Sequence, residues 1–184
     1  MFDSKGNFVQ QEEHQRELSI SYTYDSRDRV VLVEDNVGAK LKLGYDSRGN
    51  LIYEEKAISE DVKQIIHYRY DKADNLIEQK EELDSGLPAR EGEKKIAITK
   101  YAYDDNGNRI RIVTPEGYQI RREYDNRDRL ILERTIDKQH GIDRTIQVSY
   151  DFASNITKIV QVGKETDSFE LLYDYDLKDR IPRG

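Results

Sequence analysis

Side chains able to do acid–base, metal or nucleophilic chemistry are sparse in this chain. Histidine occurs three times, at His14, His67 and His140, and cysteine is absent. Zinc-type sites gather those residue types at short spacings, and three histidines in separate stretches offer no such spacing. His67 sits beside Tyr68 on the polar parity of its segment, where a solvated imidazole explains it better than a catalytic base. The string Asp104-Asp105-Asn106-Gly107-Asn108 places Asp and Asn at alternate positions, as a calcium loop does. That loop needs Gly after its fifth ligand position and Glu six residues later. Here Arg109 stands at the Gly position, and Thr114 or Pro115 lies near the Glu position. A hairpin turn explains the string without a metal. Acidic residues number 37 of 184, so neighbouring carboxylates say little about general acid–base work. No Gly-x-Ser-x-Gly, Gly-x-Gly-x-x-Gly, Walker or His-Glu-x-x-His string occurs. The expectation is a chain that is not an enzyme, with no catalytic residue, no metal and no cofactor.

What does recur is an aromatic residue followed by Asp. The copies are Phe2-Asp3, Tyr24-Asp25, Tyr45-Asp46, Tyr70-Asp71, Tyr103-Asp104, Tyr124-Asp125, Tyr150-Asp151 and Tyr175-Asp176, with spacings of 22, 21, 25, 33, 21, 26 and 25 residues. A period of this size marks a repeat architecture, in which each unit buries its apolar face against its neighbours. Three residues after the Asp come Gly6, Asp28, Gly49, Asp74, Gly107, Asp128, Ser154 and Asp179. Gly accepts positive φ freely and Asp at tolerable cost. The next position holds Asn7, Arg29, Asn50, Asn75, Asn108, Arg129, Asn155 and Arg180. Each Asp is expected to close a turn by accepting backbone N–H groups just ahead of it. The structural residues of the motif are Tyr24, Asp25, Tyr45, Asp46, Gly49, Asn50, Tyr70, Asp71, Tyr103, Asp104, Gly107, Asn108, Tyr124, Asp125, Tyr150, Asp151, Tyr175 and Asp176.

The elements that position these turns are strands. Leu18, Ile20, Tyr22 and Tyr24 share one parity, and Ser19, Ser21, Thr23 and Asp25 the other. Alternation of this kind puts an apolar and a wet face on a strand. It recurs in Leu41/Leu43/Tyr45, Ile66/Tyr68/Tyr70, Ile146/Val148/Tyr150 and Phe169/Leu171/Tyr173/Tyr175; Thr99/Tyr101/Tyr103 fits less well, and Arg122 interrupts the column before Tyr124. A second apolar run leaves each turn, as at 30–33, 51–53 and 110–113. Each unit therefore reads as a β-hairpin. The tyrosine rings are expected to pack on the next hairpin, although their faces and polar rims would also suit a sugar. The stretch 58–66 has room for a helical turn, but a strand entering Tyr68 explains Ile66 without one. The segment 79–95 is charged, holds Gly86, Pro88 and Gly92, and reads as a long solvated loop.

Composition agrees. Hydrophobic and charged residues each make up 36%, and the mean hydropathy is −0.90. That is wet for a closed globule and suits a thin sheet with an exposed face. Thirteen tyrosines against four phenylalanines and no tryptophan fit half-buried positions, where the hydroxyl meets water. The net charge of −7 and the lack of a basic cluster argue against a nucleic-acid partner. No apolar run is long enough for a membrane-spanning helix. The N-terminal Met1-Phe2-Asp3-Ser4-Lys5-Gly6-Asn7 reads as the middle of a repeat and not as a signal peptide.

The strings Tyr45-Asp46-Ser47-Arg48-Gly49-Asn50-Leu51 and Tyr103-Asp104-Asp105-Asn106-Gly107-Asn108-Arg109 closely resemble the YD repeat of RHS (rearrangement hotspot) proteins. That family includes bacterial polymorphic toxins, wall-associated proteins, the shells of insecticidal toxin complexes and the teneurins of animals. The resemblance covers nearly the whole chain; four copies carry Asp and one Ser where the motif favours Gly. It implies an all-β fold in which tandem β-hairpins form a curved, spiralling antiparallel sheet, part of a β-shell. Residues 1–184 would then be one array of about eight hairpins, cut through repeats at both ends, with 79–95 as its long charged loop. The resemblance further implies a structural, non-catalytic segment of a shell that encapsulates or presents a C-terminal polymorphic toxin domain. Its partners would be further repeats and a toxin domain of the same parent chain, secreted or at the cell surface. The alternative is an adhesive or carbohydrate-binding array on a cell surface. Cut ends would leave strand edges open to edge-to-edge self-association.

Overall fold

Alternating stretches form strands here, and an Asp-led turn reverses the chain after each. The computed structural model describes residues 1–13, 18–84, 96–163 and 168–175. His14, Asp176, Asp179, Arg180 and positions 85–95 lie outside the described residues. The chain divides into two compact units, Met1–Ile98 and Thr99–Gly184. The first holds β1 (Gln10–Glu13), β2 (Leu18–Tyr24), β3 (Val30–Asp35), β4 (Lys40–Tyr45), β5 (Leu51–Ala57), β6 (Lys63–Tyr70) and β7 (Leu76–Asp84). Each pairs antiparallel with the next in chain order. The second holds β8 (Ile96–Tyr103, which begins just before the boundary), β9 (Arg109–Val113), β10 (Gln119–Tyr124), β11 (Leu130–Asp137), β12 (Ile142–Tyr150), β13 (Ile156–Val162) and β14 (Phe169–Leu172). These also pair antiparallel in chain order. The fold is all-β, and each unit is a meander of hairpins.

One detail of register repeats at every motif tyrosine. Tyr24 pairs with Val30 while Thr23 pairs with Leu32, so one residue is left over. The same slip occurs at Tyr45/Leu51, Tyr70/Leu76, Tyr103/Arg109, Tyr124/Leu130 and Tyr150/Ile156. A bulge of this kind places two residues of one strand opposite one of the other and sharpens the local twist. It explains why the return strands open with adjacent apolar residues, such as Val30 and Val31, instead of strict alternation.

Neither unit builds a closed interior. Among the described residues no hydrophobic side chain is fully buried, and the two buried residues are polar, Thr135 and Asp137. Ordinary domains bury one sheet face under a second layer, and within neither unit do the described residues form one. Both faces therefore accept charge. On the face opposite Tyr45, the Glu55 carboxylate lies 2.8 Å from Lys42 and 3.6 Å from Lys63, and accepts the Tyr53 hydroxyl at 2.6 Å. Lys42, then Tyr53, hold Glu55 down to about 2, and burial followed by Glu55 pushes Tyr53 up to about 12. Tyr53 also lies across Gly44, where a Cβ would meet Tyr53 Cβ at 3.2 Å. A glycine inside a strand leaves room for such an approach.

The wet faces correct the reading of 79–84 as loop, while 85–95 lie outside the described residues. Strand β7 runs to Asp84, pairing His67 with Lys80, Ile65 with Glu82 and Lys63 with Asp84. Gln64 donates to Glu81 at 2.5 Å across that ladder. Charge there excluded a strand only under the assumption of one apolar face. The stretch before β6 holds a turn instead of a helix, with Ile58 N–H donating to Val62 O at 2.9 Å.

Candidate functional site

The motif residues assemble into stacked turns along one edge of each sheet. In seven described copies the Asp N–H donates to the carbonyl four residues on, and the N–H three residues on donates back to the Asp carbonyl. At Asp25 these bonds measure 2.9 and 3.1 Å. The residue three after the Asp has positive φ at Gly6 (91°), Asp28 (59°), Gly49 (102°), Asp74 (63°), Gly107 (87°), Asp128 (58°) and Ser154 (73°), as read from the residue types. The carboxylate completes the turn. Asp25 Oδ1 accepts Arg27 N–H at 2.8 Å and Arg29 N–H at 3.1 Å, and Asp46 Oδ1 accepts the N–H groups of Arg48, Gly49 and Asn50 at 2.8–2.9 Å.

The fourth residue after the Asp has two tasks. Its side chain first returns to its own Asp: Arg29 Nε and Arg129 Nε donate to Asp25 and Asp125 at 2.8 Å, and Asn50 and Asn108 to Asp46 and Asp104 at 3.1 Å. It then reaches the following turn. Asn7 donates to Asp28 at 3.0 Å, Asn50 to Asp74 at 2.6 Å and Asn108 to Asp128 at 2.7 Å. Arg29 donates to the Asp46 carbonyl at 3.1 Å, and Arg129 to the Asp151 carbonyl and Ser154 Oγ, both at 3.1 Å. A pairing rule holds in these five links. Asn precedes a turn whose third residue is Asp and binds its carboxylate; Arg precedes a turn with Gly49 or Ser154 there and binds the backbone carbonyl, with Ser154 Oγ besides in the second case. Without a large side chain at that third position, the longer guanidinium has room to enter.

The tyrosines work backwards along the chain, which corrects the expectation that they pack on the next hairpin. Tyr24 Oη donates to Phe8 O at 2.6 Å, Tyr150 Oη to Leu130 O at 2.9 Å, Tyr175 Oη to Ile156 O at 2.8 Å and Tyr124 Oη to Arg109 O at 3.3 Å. Each acceptor lies six residues after the aromatic of the preceding motif. The preceding arginine also covers the ring: Arg29 lies 4.6 Å from the Tyr45 centroid and Arg129 4.5 Å from that of Tyr150. Contacts of this kind contribute about 0.5–1 kcal/mol at exposed sites.

Electrostatics sharpen the same edge. The side-chain hydrogen bonds of Arg29 and Arg129 come first among the causes that hold Asp25 and Asp125 down to about 2. The N–H of Asn75, then its amide, lower Asp71. These are ionised acceptors at neutral pH, and hydrogen bonds to them are short and strong.

The remaining candidates lie elsewhere. His67 is exposed, its ring 5.3 Å from that of Tyr53. His140 is exposed in a return turn, its Nδ1 2.6 Å from Asp137 Oδ2. The string 104–108 forms one of the motif turns, and among the described residues no cluster of three His, Cys, Asp or Glu side chains is placed to hold a metal. Arg122, which interrupts the tyrosine column, pairs across the ladder with Glu133 at 2.8 Å. Sequence reasoning missed the link from each fourth residue to the following turn. The alternation of Gly and Asp at the third position was its visible signal.

A family model described as teneurin YD-shell matches residues 33–182. The chain belongs to the YD-shell family. Its fold is an RHS/YD-repeat fold. No curated protein matches this YD-shell chain in sequence. Among solved structures, the Tc holotoxin pore of Photorhabdus luminescens is similar with TM-score 0.71 and 18% identity, over 95% of this chain and 9% of that one. The crystal structure of TcdB2-TccC3-Cdc42 is similar with TM-score 0.56 and 14% identity, over 96% of this chain and 12% of that one. That of TcdB2-TccC3-TEV gives TM-score 0.54 and 16% identity, over 95% and 12%. The YD-shell chain thus spans about a tenth of the length of the solved chains it resembles, and at these identities the likeness is one of fold.

Proposed function

We propose that this YD-shell chain is a structural, non-catalytic wall segment of a longer RHS/YD-repeat protein, which encapsulates or presents a C-terminal toxin domain. The observation that carries the reading is that, among the described residues of each unit, no hydrophobic core forms and five links pin one motif turn to the following one. With no hydrophobic side chain fully buried among the described residues, a closed globule is poorly served, whereas a hydrogen-bonded sheet separates two compartments. Mechanism here is steric: successive hairpins exclude proteases and solvent, and the turn edge keeps them in register. The partners are further repeats and the toxin domain of the same parent chain, secreted or at the cell surface. Strand β14 leaves Phe169, Leu171 and Leu172 exposed, which supports pairing with a further strand.

The adhesive reading draws less support, because Arg29 and Arg129 occupy the ring faces of Tyr45 and Tyr150 that a sugar would need. Limited proteolysis of the parent chain tests the wall. The effector domain should survive in the native protein and be cut faster when Arg129→Ala loosens the wall. Cleavage of the enclosed domain at the rate of the isolated domain rules the wall out.

A further inference from the structure

We propose that the second and fourth residues after each motif Asp form a two-armed clamp that specifies which turn may follow, a role independent of whether the wall encloses a domain. The fourth residue is one arm, and the second supplies the other. Where the following turn has Asp in third place, both arms close on a single carboxylate oxygen. Asp28 Oδ1 accepts Lys5 at 2.9 Å and Asn7 at 3.0 Å. Asp74 Oδ1 lies 2.9 Å from Arg48 Nη1 and accepts Asn50 at 2.6 Å. Asp128 Oδ1 accepts Asn106 at 2.9 Å and Asn108 at 2.7 Å. Where the following turn has Gly49 or Ser154 in third place, both arms are arginine and each takes a backbone carbonyl. Arg27 donates to Ser47 O at 2.5 Å and Arg29 to Asp46 O at 3.1 Å. Arg127 donates to Phe152 O at 2.8 Å and Arg129 to Asp151 O at 3.1 Å.

These joints fall into two kinds, one closed on a carboxylate and one on carbonyls, and side-chain length explains the division. An Asn amide is short and meets an acceptor when the following turn extends a carboxylate toward it. An Arg guanidinium is long and rigidly forked, and it reaches past a small third residue to the backbone. The second position is the less selective arm, because Arg48 serves a carboxylate joint and still donates to the Lys72 and Asp71 carbonyls, both at 2.9 Å. The fourth position decides: it is Asn7, Asn50 or Asn108 at the carboxylate joints and Arg29 or Arg129 at the carbonyl joints. Within each unit the kinds alternate in chain order. A turn that missed its neighbour and docked on the one beyond would therefore meet the wrong kind: Asn7 would face Gly49, Arg29 would face Asp74, and Asn108 would face Ser154. A mismatch leaves an amide or a carboxylate without its partner, and arrays of similar units need such a device against wrong pairings.

Two double-mutant cycles test the clamp, read as unfolding equilibrium constants from denaturant melts of the full chain. Arg29→Asn with Gly49→Asp turns a carbonyl joint into a carboxylate joint, and Asn108→Arg with Asp128→Gly does the reverse. Each pair should raise the unfolding constant several-fold less than the product of its two single changes. Backbone strain at the third position enters both sides of a cycle and cancels, so the coupling reports the joint alone. Arg29→Asn with Asp128→Gly draws on two separate joints and should show no coupling. A single change that prevents folding beside a pair that folds is the same rescue at its limit. Costs that simply multiply in either cycle refute the clamp, as does a matched pair that does not fold, or equal coupling in the unmatched pair.

Discussion

The turn at 35–39 and the turn at 46–50 share the leading Asp and the Gly at positive φ, and differ decisively at their last side chain, Ala39 against Asn50. In the first, Asp35 N–H donates to Ala39 O at 3.0 Å, Asp35 Oδ1 accepts Val37 and Ala39 N–H, and Gly38 has φ 101°. In the second, Asp46 N–H donates to Asn50 O at 2.9 Å, Oδ1 accepts Arg48 and Asn50 N–H, and Gly49 has φ 102°. Asn50 then reaches Asp74 of the following motif, whereas Ala39 ends at a methyl group. The turn at 114–118 repeats the first case in the second unit, with Gly117 at φ 85° and Tyr118 in the fourth position. Closing a hairpin and joining hairpins are therefore separate tasks. Backbone bonds, with a leading Asp where one is present, do the first, and the fourth residue does the second.

The largest effect that bears on this difference is expected at Tyr150. Tyr150→Ala removes a half-buried ring, its bond to Leu130 O and the platform under Arg129, and should cost about 3 kcal/mol in denaturant melts. Tyr150→Phe, which loses only the hydroxyl bond, should cost about 1 kcal/mol. Equal losses would assign the whole role to the hydroxyl. Next comes Arg129→Ala, which unpins two successive turns and should cost about 2 kcal/mol.

Gly38→Val and Gly49→Val probe the shared backbone, and each should cost about 1–2 kcal/mol or more from strain at positive φ. Gly49→Asp should be milder, since Asp28, Asp74 and Asp128 already occupy that conformation. A harmless Gly38→Val beside a damaging Gly49→Val would show that the two turns do not share one backbone. Smaller again, Asn50→Ala should cost about 1 kcal/mol, while Ala39→Asn should stay within about 0.5 kcal/mol of the parent.

Acid gives the finest reading. Asp25 and Asp125 have folded values depressed to about 2, against about 3.9 for a free aspartate. Their stabilisation is complete above the unfolded value and is lost as pH falls through about 2. Carboxyl-carbon NMR should place both midpoints near 2, and Asp125→Asn should flatten the acid limb of a stability profile. Midpoints near the free value would mean that Arg29 and Arg129 do not grip their own turns in solution.

Sequence by itself determined the hairpins, the turn positions and the residues at positive φ. These are local matters: alternation selects a strand, and Gly or Asp three residues after an Asp selects the turn. What only tertiary structure decided are contacts between segments far apart in the chain. The tyrosine hydroxyls reach back to the preceding hairpin, and the fourth residues reach forward. Strand β7 continues through Glu78, Lys80 and Glu82 because its ladder with β6 outlasts any apolar pattern. A sheet left uncovered within its unit removes the usual demand for one dry face, so polarity along the chain no longer marks where a strand must end.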